Sequence, residues 1–537
     1  MSQLVALDWW IVGLYFAVVF GIAFWVIRQK QSSSEDYFLA GKNVGWFVVG
    51  ASLFASNIGS EHLVGLAGTG AESGVVFGQL EFQASIILLI LGWVFVPFYT
   101  RSGVFTMPEF LERRYSPAAR WYLSIISIVG YVLTKICVTI YAGGVVFETL
   151  MGIDFWTGAI AIVVLTGIYT VLGGLRAVVY TEVLQTGVLI AGAFAVTFIG
   201  LAKVGGWNAL YDTVGSEYFN AWKPSSHPNF PWTGMVFGAP IIAIWYWCTD
   251  QFIVQRTLAA RNEAEARRGT IFAGFLKQLP LFIFIVPGMI AFALAKTGEL
   301  ELPQPDQALP VLVMTLLPAG VRGLVAAGLL AALMSSLSAV FNSCSTLITM
   351  DFYKKIHPGA SDRQLIHIGR LATFVLVVLG LLWIPLMKVI SGTLYLYLQS
   401  VQSYIAPPIA AVFLAGVFSK RMTATAAITG MVGGFGVGML RLLAELNKDS
   451  LDGALLWFAS INFLHFAALL FWFCLVMMVI VSRFTKPPSD EQLSGLTFQT
   501  TTADQAANSR TTWSAVDVAL SVFLVATVAA VMLYFTG

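Results

Sequence analysis

The chain has 537 residues, of which 58% are hydrophobic and only 11% charged, with a mean hydropathy of +0.81. Those values place the whole chain in a bilayer, not one anchor of it, and a formal net charge of +2 gives no support to nucleic-acid binding. Cys137, Cys248, Cys344 and Cys474 all sit inside apolar stretches, where they read as small packing residues and not as disulfides or metal ligands.

Apolar runs long enough to span recur near 9–28, 45–70, 79–100, 120–149, 155–173, 177–202, 233–255, 268–295, 323–352, 365–387, 393–418, 423–443, 456–482 and 515–535. They predict an all-α integral membrane protein with about 14 transmembrane helices. The first run lacks a basic leader and a cleavage site, so it reads as a retained helix. Arg28 and Lys30 follow it, which puts its far end in the cytoplasm and the N-terminus outside. Alternating the loops from there collects Lys and Arg on the inner side by roughly three to one, as the positive-inside rule requires. Both termini then lie outside, and Lys135 and Lys277 are left within the membrane. The chain carries no Asn-x-Ser/Thr sequon, which fits a bacterial inner membrane.

The run 45–70 is the unusual one. Its middle holds Asn57, Gly59, Ser60, Glu61 and His62, which helix propensity and lipid both disfavour. Polar backbone at membrane depth is tolerated where it lines protein or a water-filled cavity, so this run reads as a broken helix around a binding site. Residues 204–232, rich in Trp, Asn, Ser and Pro, read as an outer loop, and 296–310 as an acidic, Pro-broken surface loop. The run 233–255, with Pro240, Tyr246, Asp250 and Gln251, predicts a second interrupted helix; paired interruptions point to a transporter with inverted repeats. Residues 484–513 read as a polar linker to the last helix.

Polar groups at membrane depth are functional candidates by default, and each has a plainer alternative. Glu81 accepts hydrogen bonds or pairs a cation, or simply begins its span at the interface. Lys277 points into the bundle or snorkels outward. Gln399 serves a ligand or bridges two helices. Trp245, Tyr246 and Trp247 offer flat faces with polar tips suited to a sugar ring, or form an interfacial belt. The cluster Met334-Ser335-Ser336-Leu337-Ser338 permits close helix packing, and its hydroxyls beside an opened helix at Ala55–Ile58 also suit a weakly held cation such as sodium. No nucleophile–base pair and no phosphate-binding loop points to an enzyme.

Glu35-Asp36-Tyr37-Phe38-Leu39-Ala40-Gly41-Lys42, Ala51 through His62, Met107-Pro108-Glu109-Phe110, Trp245 through Arg256 and Phe341-Asn342-Ser343 together resemble the sodium/solute symporter family, and within it the sodium–glucose cotransporter branch. The resemblance runs from about residue 9 to 445 and resumes at 487–498. It implies a leucine-transporter-like fold of two inverted five-helix repeats, here 45–206 and 233–421, joined by an extracellular loop at 207–232. A peripheral helix and cytoplasmic loop (1–44), peripheral helices (422–483), the linker (484–513) and a last helix (514–537) complete the division. It further implies a sugar site at Asn57, His62, Glu81, Tyr246, Trp247, Lys277 and Gln399. The coupling sodium would be held by the carbonyls of Ala55, Ile58 and Ala332 and the hydroxyls of Ser335 and Ser336. Leu66, Leu80 and Tyr395 would form an outer gate and Tyr246 the inner one. A second sodium position would use Glu182 and Ser338. Three departures stand out: Leu80 where relatives often have an aromatic, Glu182 in place of an Asp, and Ala339 where a second hydroxyl would sit.

The expectation is sodium-coupled import of a neutral sugar by alternating access, with sodium, sugar and lipid as partners. Myo-inositol, an amino acid or an organic anion are rival substrates, and a sugar-gated sensor or channel is the rival class.

Overall fold

The computed structural model describes residues 4–29, 33–59, 61–387 and 394–537. Among these the chain is almost wholly helical; the only strand-like pairings are two isolated bridges, Val44 with Ala260 and Asn220 with Thr536. Among the described residues ten helices are long and apolar enough to cross a membrane. The sequence offers about 14 apolar runs, and the difference lies where runs are broken or fused. The run at 45–70 is split into a helix Trp46–Asn57 and a separate piece after it. The runs at 155–173 and 177–202 are read through as one element, Phe155–Val204, bent at Gly174.

The helices that position the site are, in order, α1 (Ala6–Arg28), α2 (Trp46–Asn57), α3 (Gly78–Ile90) and α4 (Phe155–Val204). They are followed by α5 (Ala239–Ile244), α6 (Gln251–Leu258), α7 (Glu263–Leu276), α8 (Val286–Lys296), α9 (Val321–Thr346), α10 (Leu394–Phe418) and α11 (Ala515–Tyr534). In an 18-residue stretch of the span that begins with α9, 94% is buried within the protein, against 17% in such a stretch of α11. α9 is therefore the central rod and α11 lies at the rim. Exposed apolar side chains such as Phe198, Leu382, Trp472 and Val516 cover the outside, as lipid contact requires.

Lipid is as apolar as leucine, so these helices associate through close packing and polar contacts and not through water exclusion. The bend in α4 shows the local logic: Gly174 has φ +57 and ψ −159, a conformation for glycine. A Cβ there would also lie 2.5 Å from the carbonyl oxygen of Tyr37.

Both expected interruptions are present. α2 stops at Asn57, Ile58 is extended at φ −75 and ψ 99, and the chain resumes with a wide turn over Glu61–Leu66 and a short helix Ala67–Ser73. The second break follows α5: Trp245–Thr249 is another wide turn, Asp250 is extended, and its side chain caps α6 by accepting from the Phe252 amide at 3.2 Å. Wide turns of this type leave carbonyls outside the regular ladder and gather at functional sites.

The segment 484–513, expected as a polar linker, contains helices Asp490–Leu493 and Ala503–Arg510 and is docked by side-chain bonds. Gln492 donates to the Tyr115 carbonyl (3.1 Å), and Ser509 and Thr512 donate to Glu263 at 2.6 and 3.0 Å.

Candidate functional site

A cavity of about 110 Å³ lies between the two broken helices, α3, α7, α9 and α10. Asn57, His62, Glu81, Tyr246, Trp247, Lys277 and Gln399 all line it. These seven residues span more than 300 positions of sequence, and the two helix breaks and the capped start of α6 bring them together.

The centre of the cavity is a chain of polar contacts. The Lys277 ammonium, 1% exposed, donates to Asn57 Oδ1 at 2.5 Å and is ion-paired with Glu81 Oε2. Glu81 Oε1 lies 3.3 Å from His62 Nε2. Asn57 Nδ2 in turn donates to the Tyr246 hydroxyl at 3.0 Å, and the Lys277 ammonium lies 5.5 Å from the centre of the Trp247 ring. Lys277 therefore does not snorkel. A buried carboxylate and ammonium in contact neutralise one another, so the cavity presents donors and acceptors without a dominant net charge.

The residues expected around sodium also meet. Ser335 Oγ donates to the carbonyls of Ala55 and Ala332 at 2.8 and 2.9 Å. Ser336 Oγ donates to the carbonyls of Ser56 and Ile58, both at 3.2 Å. α2 and its cap can supply the carbonyls of Ala55, Ser56 and Ile58 because the helix opens at Ile58, which frees its last carbonyls from the helical ladder. Four carbonyls and two hydroxyls make a hard, uncharged oxygen set, the donor chemistry a weakly held alkali cation takes. Ser336 also lines the cavity, so this oxygen cluster and the polar cavity share a wall.

Among the described residues, Glu182 and Ser338 have different hydrogen-bond partners. Glu182 is fully buried on α4, accepts from Arg256 Nη2 at 3.1 Å and from Ser52 Oγ. Its charged partner is Arg256 of α6. Ser338 Oγ donates to the Ser335 carbonyl at 3.0 Å. Of the gate residues, Leu80 and Tyr246 line the cavity. Leu66 is fully buried but is not among the lining residues, and the side chain of Tyr395 lies outside the described residues, as does Ser60.

Sequence reasoning missed the contacts beneath Tyr246. Lys135 Nζ lies 4.3 Å from the Tyr246 ring centre, 3.6 Å from that of Phe252 and 3.4 Å from Asp250 Oδ2. A lysine left within the membrane needs a carboxylate, and Asp250 was available in the second break; that was the signal. Gln83, Thr139 and Gln402 also line the cavity without any motif to mark them.

The sequence model of the Sodium:solute symporter family matches residues 37–434. Among curated proteins, sodium/glucose cotransporter 1 of Oryctolagus cuniculus is 38% identical over 534 residues, 91% of this chain and 80% of its own length. The sodium/myo-inositol cotransporter of Homo sapiens is 39% identical over 536 residues, covering 91% and 74%. Among solved structures, a Na+-coupled sialic acid symporter in a substrate-bound outward-open state superposes with a TM-score of 0.80 at 22% identity, covering 90% of this chain and 98% of that one. A nucleobase-cation-symport-1 family transporter in a closed conformation matches at a TM-score of 0.56 and 13% identity, covering 87% and 98%; these two likenesses establish the fold. The helical fold is thus shared with known transporters, and the chain belongs to the Sodium:solute symporter family, with sodium as its coupling ion.

Proposed function

We propose that the protein imports a neutral hexose, of the glucose or galactose type, together with sodium by alternating access between two inverted five-helix repeats, 45–206 and 233–421, within about 14 spans. The observation that carries the substrate class is the Lys277–Glu81 pair. An anion would need that lysine's charge, which Glu81 already meets; a hydroxylated neutral ligand uses the donors and acceptors around it. Asn57, His62, Glu81, Lys277 and Gln399 would hydrogen-bond sugar hydroxyls, and Tyr246 and Trp247 would lie against the ring.

In this reading sodium binds first to the carbonyls of Ala55, Ile58 and Ala332 and the hydroxyls of Ser335 and Ser336. It fixes α2 against α9, and with it Asn57 at the end of α2. That couples the ion to the sugar, because each ligand then favours the same arrangement of α2. Leu66, Leu80 and Tyr395 would close the outer side and Tyr246 the inner side. The stoichiometry is one sodium per sugar, since the Glu182 carboxylate is engaged by Arg256 and Ser52. Both termini face outward, in a bacterial inner membrane.

A cyclitol is the second reading. It shares the ring of hydroxyls, and the relatives include sodium/myo-inositol cotransporters at 38% and 39% identity. Uptake of labelled glucose, galactose and myo-inositol into proteoliposomes, with an inward sodium gradient or with potassium in its place, tests both. Sodium-driven accumulation of a hexose supports the proposal, accumulation of myo-inositol alone replaces its substrate, and equilibration without accumulation refutes symport.

A further inference from the structure

Helix α1 lies outside the two repeats, and nothing in its apolar sequence distinguishes it from a lipid-facing rim helix. Its contacts are of another kind. Asp8, in its first turn, is fully buried. One carboxylate oxygen accepts from the amides of Gly320 and Gly323, at 2.6 and 2.9 Å, where α9 begins. The other accepts from the Val5 amide at 3.0 Å and lies 3.8 Å from Arg322 Nε. A carboxylate is favoured at a helix N-terminus, where unpaired amides and the helix dipole converge, but here it is supplied by a different helix. The approach is tight, for a Cβ on Gly323 would lie 2.5 Å from the Asp8 Cα.

Seven residues on, two helical turns along the same face, Tyr15 makes the second contact. Its hydroxyl donates to Met334 Sδ at 3.9 Å and accepts from Gln185 Nε2 at 3.4 Å. The Met334 carbonyl separately accepts from the Tyr169 hydroxyl at 3.2 Å. Met334 immediately precedes Ser335 and Ser336. Val12, between the two contacts, and Val19, one turn beyond Tyr15, are buried, and α1 packs against both α4 and α9.

We propose that α1 is a positioning element for the coupling-ion helix, holding α9 at its start through Asp8 and beside its ion-site hydroxyls through Tyr15. This rests on the sodium site proposed for Ser335 and Ser336. The physical need is plain. α2 is broken at Ile58, so it cannot set the rotation of α9 by itself, and a site holds its ligand only within roughly 0.5 Å and 10–20° of the right geometry. A turn of α9 by about 15° about its axis carries a side-chain oxygen about 1 Å sideways. Two attachments to an outside rail, one at the helix start and one at the site, fix both slide and rotation.

The test uses the full-length purified protein with Tyr15→Phe, which deletes one hydroxyl and keeps the ring, and Asp8→Asn. Two quantities are read: the sodium concentration giving half of the sodium-specific thermal stabilisation over potassium, and the apparent affinity at saturating sodium for the sugar the parent accumulates. Each variant is expected to raise the half-saturating sodium by roughly two- to tenfold, the worth of about one hydrogen bond, and to leave the sugar affinity at saturating sodium within about twofold. Unchanged sodium half-saturation in Tyr15→Phe, whatever happens to yield or thermal stability, makes α1 a packing helix and overturns the proposal. Equal losses in sodium and sugar affinity overturn it as well. A parent that sodium stabilises no better than potassium refutes the ion site itself, and the positioning role falls with it.

Discussion

Lys277→Met should separate the observed pairing with Glu81 from the sugar contact proposed for the Lys277 ammonium. The substitution keeps an unbranched chain of similar length and removes the charge. Glu81, 4% exposed, would then keep His62 at 3.3 Å and lose its only lysine. Stripping one partner from a buried pair costs about 3–5 kcal/mol, because the remaining charge stays desolvated. Asn57 loses its 2.5 Å donor at the same time. If Lys277 also donates to a sugar hydroxyl, the lost charged hydrogen bond costs a further 1.5–3 kcal/mol of binding, about 10- to 150-fold in affinity. Adding Glu81→Gln removes the stranded charge, so the double variant should recover much of the stability and none of the affinity. Thermal unfolding in detergent and sodium-driven uptake read the two effects separately. A single variant with parental stability and uptake affinity would refute both assignments. A double variant no more stable than the single one would show that the cost was never electrostatic.

Ser336→Ala keeps the close helix contact and deletes one oxygen. It should raise the sodium requirement and weaken sugar binding at fixed sodium; unchanged sodium dependence in uptake assays would leave Ser336 as packing alone. The sugar gradient held at static head should scale with the first power of the sodium gradient, because Arg256 occupies Glu182; a squared dependence would establish a second ion. Gly288→Ala should sharply reduce folded protein, since its Cβ would lie 2.0 Å from the Ala67 carbonyl oxygen; size-exclusion recovery equal to the parent's would show that α8 can give way there. On the loop helix Met107–Arg114, burial would raise the Glu112 carboxyl, but bonds from Lys355 and Arg120 prevail and hold it below its ordinary value of 4.5. Its contribution to stability is therefore complete above that ordinary value and is lost as pH falls through the lowered one. Glu112→Gln should flatten the acid limb of a melting-temperature profile, and an unaltered limb would rule this cluster out.

Much of this architecture is legible in the sequence because membrane depth makes polarity conspicuous. Asn57, Gly59 and His62 in an apolar run announce a break, and Lys277 in another demands a partner. The partners themselves are harder to read. Glu182 and Arg256 are 74 positions apart, and nothing in either neighbourhood says that α6 ends against α4. α1 reads as peripheral because its one acid stands in the first turn, where an interfacial aspartate would stand too; only the amides of Gly320 and Gly323 reveal its use. The segment 484–513 reads as a linker because its polar composition reflects exposure, while its docking depends on a few hydroxyls and amides that composition does not register. The number of spans is blurred for a similar reason, since hydropathy does not register the bend at Gly174 or the gap at Ile58.

The buried charges also have an electrical consequence. Glu81 faces Lys277, Glu182 faces Arg256 and Asp250 faces Lys135, so the charges of these three pairs are balanced in place. The oxygens around Ser335 and Ser336 carry no charge at all. A cation taken there would keep its full charge, and a neutral sugar would add none. The loaded carrier would then reorient as a unit positive charge, and the empty one as an electrically silent body. An inside-negative potential of 100 mV would favour the loaded step by up to about 2.3 kcal/mol and leave the return almost untouched. Voltage would set the direction of the cycle through the loaded step, and at high potential the empty return would limit its rate.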